Sequence, residues 1–221
     1  DIRIDGAGKK VTRSDNCRVS DLSVSSDNLT FTYEAKSLPY PIDTSYYDNE
    51  KHTQADALSV IPFMDEMNYE GLSVSGLSDG YYGLTIGREF IGRFTARELE
   101  RGINMTLLQN TPQYKQAMKI RQMNEERWLK ERKMREFYWV EYNLMRKTGM
   151  LWACNEAAVD TLRKYRPHDI FLQWNGDLWL QYMHKGIRED CVNEQQDLVN
   201  QIYEQNKPIP LRIEIKKFTD L

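Results

Sequence analysis

Nucleophilic or metal chemistry in this chain would fall first to its three histidines and three cysteines: His52, His168, His184, Cys17, Cys154 and Cys191. Their spacing supports neither. No two histidines stand close together, none lies at metal-ligand distance along the chain from a cysteine, and no Cys-x-x-Cys occurs, so no metal site is expected. Three cysteines cannot all pair internally and are read as ordinary buried or free thiols. His184 and Cys191 stand seven apart, which would put them on one helix face as a dyad. Nothing around them suggests an oxyanion hole, so His184 reads as a surface or satisfied interior residue. Gly6-Ala7-Gly8-Lys9-Lys10 fails as a phosphate loop, because Arg3 stands where the first glycine belongs and Lys10 where Ser or Thr belongs. Gly71-Leu72-Ser73-Val74-Ser75-Gly76 misses the nucleophile-elbow pattern by one place, and a turn and another strand follow where that pattern needs a helix. No catalytic residue and no cofactor site is therefore expected.

Charge narrows the partners. The 221 residues carry a net charge of −3, which argues against bulk nucleic-acid or membrane-surface binding, and no apolar run is long enough for a membrane span. Residues 112–147 are locally basic, with ten basic residues against five acidic. Pairs such as Arg121 with Glu125 and Arg132 with Glu136 stand one helical turn apart, so much of that charge is self-compensated. One face is less ordinary: Arg121, Glu125 and Arg132 share a side with Tyr114, Trp128 and Trp139. Charges within an aromatic face suit an interface. Arg121, Glu125, Trp128, Arg132 and Trp139 are accordingly the candidate residues for docking another domain or rimming its cleft.

The elements that would position these residues divide into a β-rich region, 1–104, and a long-helix region, 105–221. Ile2 and Ile4 alternate with polar residues; Val19 to Val24 and Leu29 to Tyr33 flank a Ser-Ser-Asp-Asn turn as a hairpin. Residues 38–56 read as an irregular Tyr- and Asp-rich contact loop, and Leu72–Phe94 as a three-stranded meander. Thr95 with Glu98 forms a capping box for a short helix stopped by Gly102. Thr111 and Pro112 are the cap and first residue of a long helix with no Gly or Pro before Gly149. It is apolar on two sides, as a helix packed between two partners should be. Asn155 caps a helix over Glu156–Tyr165, a second long helix runs from about Asp177 to Asn206, and a closing strand occupies 211–218. The two terminal strands are expected to pair. The fold class is α+β: a small antiparallel β domain, a long helical hairpin and a C-terminal strand.

Several short segments, in order, resemble a known family. They are Ser37-Leu38-Pro39-Tyr40-Pro41, Val74-Ser75-Gly76-Leu77, Tyr82-Gly83-Leu84-Thr85-Ile86, Ile91-Gly92 with Thr95-Ala96 and Leu99, Gly102-Ile103-Asn104, Asn110-Thr111-Pro112-Gln113-Tyr114 and Asn124-Glu125-Glu126-Arg127-Trp128. Together they resemble the region C-terminal to the catalytic domain in bacterial exported SGNH/GDSL-type hydrolases, esterase-like proteins of carbohydrate-degrading bacteria. That family's catalytic serine lies in a Gly-Asp-Ser block and its histidine in an Asp-x-x-His block. Here Gly-Asp occurs once, as Gly176-Asp177, followed by Leu178, and no histidine has Asp three places before it. No catalytic residue carries over. The opening Asp1-Ile2-Arg3-Ile4-Asp5 reads as the interior of a longer polypeptide, starting where the family's last catalytic block ends.

The resemblance implies a non-catalytic accessory region of an exported acyl hydrolase, periplasmic or secreted, packing on or shaping the cleft of an SGNH catalytic domain in the same polypeptide. Acylated polysaccharide is the implied substrate class. An alternative of a different class is a free-standing glycan-binding module using the loop from Tyr40 to Tyr47, or a structural spacer.

Overall fold

The computed structural model describes residues 1–43 and 53–218. In chain order it forms β1 (Ile2–Asp5), β2 (Lys10–Ser14), β3 (Cys17–Val24), β4 (Asn28–Ala35), α1 (Phe63–Glu66), β5 (Gly71–Ser75), β6 (Tyr81–Ile86), β7 (Glu89–Thr95), α2 (Ala96–Arg101), β8 (Ile103–Asn104), α3 (Pro112–Val140), α4 (Glu156–Tyr165), α5 (Ile170–Tyr182), α6 (Lys185–Gln205) and β9 (Leu211–Lys217). The class is α+β. Two compact units comprise Asp1–Arg121 with Gln205–Leu221, and Gln122–Glu204. The first unit thus takes in β9 and the opening turns of α3, which the sequence-based division at 104/105 grouped with the helices.

The first unit holds two sheets, ordered β2-β1-β5-β8 and β3-β4-β9-β6-β7. The β3–β4 hairpin forms as expected from its turn, Ser25 hydroxyl and backbone both bonding to Asn28. The three-stranded meander does not form. Strands β6 and β7 pair around Gly87, which holds a positive φ of 64°, but β5 joins the other sheet, parallel to β1. The terminal strands do not pair either: β1 lies between β2 and β5, and β9 between β4 and β6. Burial explains the placement of β9. Its Leu211, Ile213 and Ile215 point into a core with Leu29, Phe31, Leu84 and Ile86, while Arg212 and Lys216 alternate outward. Each such fully buried aliphatic side chain contributes about 1.5–3 kcal/mol, and only an interior strand gives all three that burial. The Thr95–Glu98 capping box is present, and Gly102 ends α2 at φ 94°, a region closed to most L-residues.

In the second unit Met134, Phe137, Val140, Leu144 and Met145 pack with Ala158, Leu162, Leu172 and Trp179. Helix α3 is 29 residues long and passes into a π-helical turn over Glu141–Met145, so the regular helix stops short of Gly149. The wider turn shifts register and brings Glu141 inside, 1% exposed. Its carboxylate accepts from Trp179 Nε1 and from the backbone N of Trp152, both at 2.9 Å. The second bond holds Trp152 at φ 62°, a left-handed conformation that costs a non-glycine residue on the order of 1 kcal/mol. The single helix expected over 177–206 is two helices, α5 and α6, with Met183 and His184 between them. Arg188 closes that junction by donating to the carbonyls of Tyr182 and Met183 at 2.6 and 2.8 Å.

Candidate functional site

The side chains best placed to meet something outside this chain stand between α3 and α5. Trp128, Arg132, Arg135, Glu136 and Trp139 come from α3, and Phe171, Trp174 and Asn175 from α5; together they line an open groove of about 590 Å3. The α3 residues recur at intervals of three and four, which is one helix face. Helix α5 is apolar on opposite sides. Leu172, Gly176 and Trp179 are buried, whereas Phe171 and Trp174 are 49% and 66% exposed.

Local bonds fix α5 in this attitude. Asp169 is its N-cap and accepts from the backbone N of Phe171 and Leu172 at 2.8 and 3.2 Å. Arg166 grips Asp177 through both guanidinium nitrogens at 2.6 and 2.7 Å, and this contact holds the Asp177 carboxyl below its ordinary range. On the inner side the Trp179–Glu141 bond pins the helix against the π turn.

Within the groove the rings of Trp139 and Phe171 lie 5.2 Å apart, and those of Phe171 and Trp174 meet edge-on at 5.5 Å. The Arg135 guanidinium lies 5.7 Å from the Trp128 ring centre. Arg132 pairs with Glu136 at 2.8 Å and Arg135 with Glu131 at 3.2 Å, as the helical spacing required. The result is an aromatic floor edged by compensated charges, which favours flat or apolar groups over ions.

Three of the five sequence candidates, Trp128, Arg132 and Trp139, come together here. Arg121 does not line the groove: in the first unit its side chain is largely covered and its Nη2 meets Asp43 Oδ2 at 2.5 Å. Glu125 is exposed on α3 and is also outside the lining. Phe171, Trp174 and Asn175 were missed by sequence reasoning, which began the second helix near Asp177. The signal available was Ile170-Phe171-Leu172 with Trp174 after Asp169, a cap followed by apolar residues.

A second polar cluster lies in the first unit. Tyr33 Oη donates to Glu70 Oε1 at 2.6 Å and Gln113 Nε2 to Glu70 Oε2 at 3.2 Å. Burial pushes the Glu70 carboxyl above its ordinary value, against the pull of these two donors, and burial beside that carboxylate raises the Tyr33 phenol. Asn104 and Thr106 join Asn68 and the Glu70 backbone into the same network. Glu70 lines a small hollow of about 140 Å3 with Tyr33, Asn68 and Thr106.

Cysteine and histidine do meet, though not as spacing suggested. Cys191 is buried in the second core, whereas His184 Nδ1 lies 3.3 Å from the sulfur of exposed Cys154. Among the described residues no group of three or more His, Cys, Asp or Glu side chains could hold a metal ion, and no helix is long and apolar enough to cross a membrane. The glycan-binding reading of Tyr40 to Tyr47, and His52, fall largely outside the described residues.

Residues 118–207 match the family model described as the diltiazem deacetylase C-terminal helical domain. A solved structure described as BT4096, a gut microbial diltiazem-metabolizing enzyme, is 34% identical over 99% of this chain, with a TM-score of 0.91. The match covers 49% of that enzyme, so this chain spans about half its length. No curated protein matches.

Proposed function

We propose that this chain is the accessory region of an acyl hydrolase, and that it packs on a catalytic domain supplied by the same polypeptide. One observation carries the reading: the chain aligns over 99% of its length with about half of a diltiazem-metabolizing enzyme, and its residues 118–207 match the model of the C-terminal helical domain of diltiazem deacetylase. The whole protein's activity would then be removal of acyl groups from an ester, with the nucleophile outside this chain. The resemblance of Tyr82-Gly83-Leu84-Thr85-Ile86 and Asn124-Glu125-Glu126-Arg127-Trp128 to SGNH/GDSL-type hydrolases supports an SGNH catalytic domain, export from the cytoplasm and an acylated polysaccharide as natural substrate.

The groove between α3 and α5 is the docking or cleft-rimming surface in this reading. Trp174, Phe171 and Trp128 are each about half exposed or more, and three such rings in one open groove are costly to leave in water. A separately produced catalytic half should co-elute with this chain on size exclusion. Trp174→Ala combined with Trp128→Ala should abolish co-elution and leave the chain's own unfolding midpoint within about 2 °C, since neither ring is in a core. Unaltered co-elution of the double variant would refute the assignment of the surface. Sustained turnover of a simple nitrophenyl ester by this chain alone, well beyond one equivalent of nitrophenol per chain, would refute the non-catalytic role.

The same groove favours one second reading, glycan binding, because exposed indole faces stack on sugar rings. It differs from the first in its readout: binding of a soluble polysaccharide that Trp174→Ala removes, with no catalytic half present.

A further inference from the structure

Cys154 and His184 stand thirty residues apart, yet Cys154 Sγ lies 3.3 Å from His184 Nδ1. Both side chains are exposed, and both backbones are held. On the cysteine side, Trp152 N is bonded to Glu141, Ala153 N donates to Met150 O at 2.9 Å, and Asn155 caps α4 by accepting from Ala158 N at 3.0 Å. On the histidine side, Met183 N donates to Trp179 O at 2.8 Å, and Arg188 Nη1 takes the carbonyls of Tyr182 and Met183. A thiol and an imidazole are thus kept within proton-transfer distance at a surface that small molecules can reach. Structural cysteines are covered, whereas a thiol with an adjacent base and open access is a nucleophile.

We propose that Cys154 is a modification site: a reactive thiol, with His184 as its base, that forms mixed disulfides with the disulfides of low-molecular-weight thiols. His184 Nδ1 takes the Cys154 proton, and the thiolate attacks one sulfur of the small disulfide. A new sulfur–sulfur bond forms to Cys154, the old one breaks, and the departing thiolate receives a proton, so one disulfide and one thiol yield one mixed disulfide and one thiol. Cys154 is oxidised, and the departing sulfur is reduced. The adduct sits at the junction of α5 and α6, beside the buried Tyr182 and Met183.

The other two cysteines are internal controls. Cys17 is partly covered, with Ser14 Oγ 3.5 Å from its sulfur, and Cys191 is buried, its sulfur 3.7 Å from Lys130 O and from Gln195 Nε2. The reduced protein is incubated with oxidised glutathione near neutral pH, and adducts on each cysteine peptide are followed by mass spectrometry. Cys154 is expected to react about tenfold faster than Cys17, with Cys191 protected. His184→Gln is expected to bring Cys154 down to the rate of Cys17 without changing Cys17. Any loosening of the helical unit by that variant would register as Cys191 adducts, and rates would then be taken at a lower temperature where Cys191 stays protected. Cys154 reacting no faster than Cys17, or reacting equally fast after His184→Gln with Cys191 protected, would overturn the proposal.

Discussion

Glu70→Gln separates the cost of a buried charge from the value of its hydrogen bonds. In the folded first unit Tyr33 donates to one carboxylate oxygen at 2.6 Å and Gln113 to the other at 3.2 Å, and neither donor carries a charge. Burial outweighs them, so the carboxyl titrates above its ordinary 4.5. The direction of the pH effect follows. Below the ordinary value Glu70 is protonated whether the chain is folded or not, and its charge costs nothing. As pH rises, the unfolded chain releases the proton first, and each pH unit up to the folded-state value removes about 1.4 kcal/mol of stability; above that value the loss is constant. Gln keeps the shape and never ionises. Its carbonyl still accepts from Tyr33. Its amide can donate to Gln113 Oε1, a buried oxygen that has no partner among the described residues, once the Gln113 amide turns over. Glu70→Gln is therefore expected to match the parent near pH 4 and to become progressively the more stable of the two as pH rises toward 7.

The assay must read the right unit. All five tryptophans, Trp128, Trp139, Trp152, Trp174 and Trp179, lie in the helical unit, so tryptophan fluorescence does not report on Glu70. Hydrogen exchange of the β4 and β9 amides in the native protein, from pH 4 to pH 8, gives the opening free energy of the β unit directly. A difference between variant and parent that is flat across this range would refute the reasoning, as would a parent that gains on the variant as pH rises. Tyr33→Phe is the complementary change: it removes a donor to the carboxylate and should cost about 1.5–3 kcal/mol, most above the titration window, where the bond is charge-assisted.

Two further substitutions probe the scaffold. Trp179→Phe deletes the indole donor to buried Glu141 and should destabilise the helical unit by about 1–3 kcal/mol, read as a lower urea midpoint of the remaining tryptophan fluorescence; an unchanged midpoint would mean that Trp152 N alone satisfies the carboxylate. Arg121→Met breaks a largely covered ion pair with Asp43 and should cost the β unit about 1–3 kcal/mol by hydrogen exchange, whereas a role confined to domain docking would leave exchange untouched.

Much of the local structure was legible in the residues. Thr95 and Glu98, Thr111 and Pro112, and Asn155 each marked a helix start that the structure has, and the alternation of Leu29, Phe31 and Tyr33, and of Leu211, Ile213 and Ile215, marked two strands. Such signals are readable because a cap satisfies its own first turn and a strand's period is set within a few residues. Trp128, Arg132 and Trp139 could likewise be placed on one helix face by spacing alone.

The open question in the sequence was which residues were the catalytic ones, and it offered none. The tertiary structure decided what stands opposite what. Alternation shows that β5 and β9 are strands, but it does not say that β5 runs parallel to β1 or that β9 enters between β4 and β6, because pairing depends on which apolar faces close the core together. The end of regular α3 at Val140 carries no Gly or Pro; it is set by Glu141 turning inward to two donors, eleven and thirty-eight residues on. Helical spacing offered His184 the company of Cys191, but the break after Tyr182 and the burial of Cys191 gave it Cys154 instead. Aromatic residues on α3 announced a surface; only the packing of α5, inner face on Glu141 and outer face open, made it a groove.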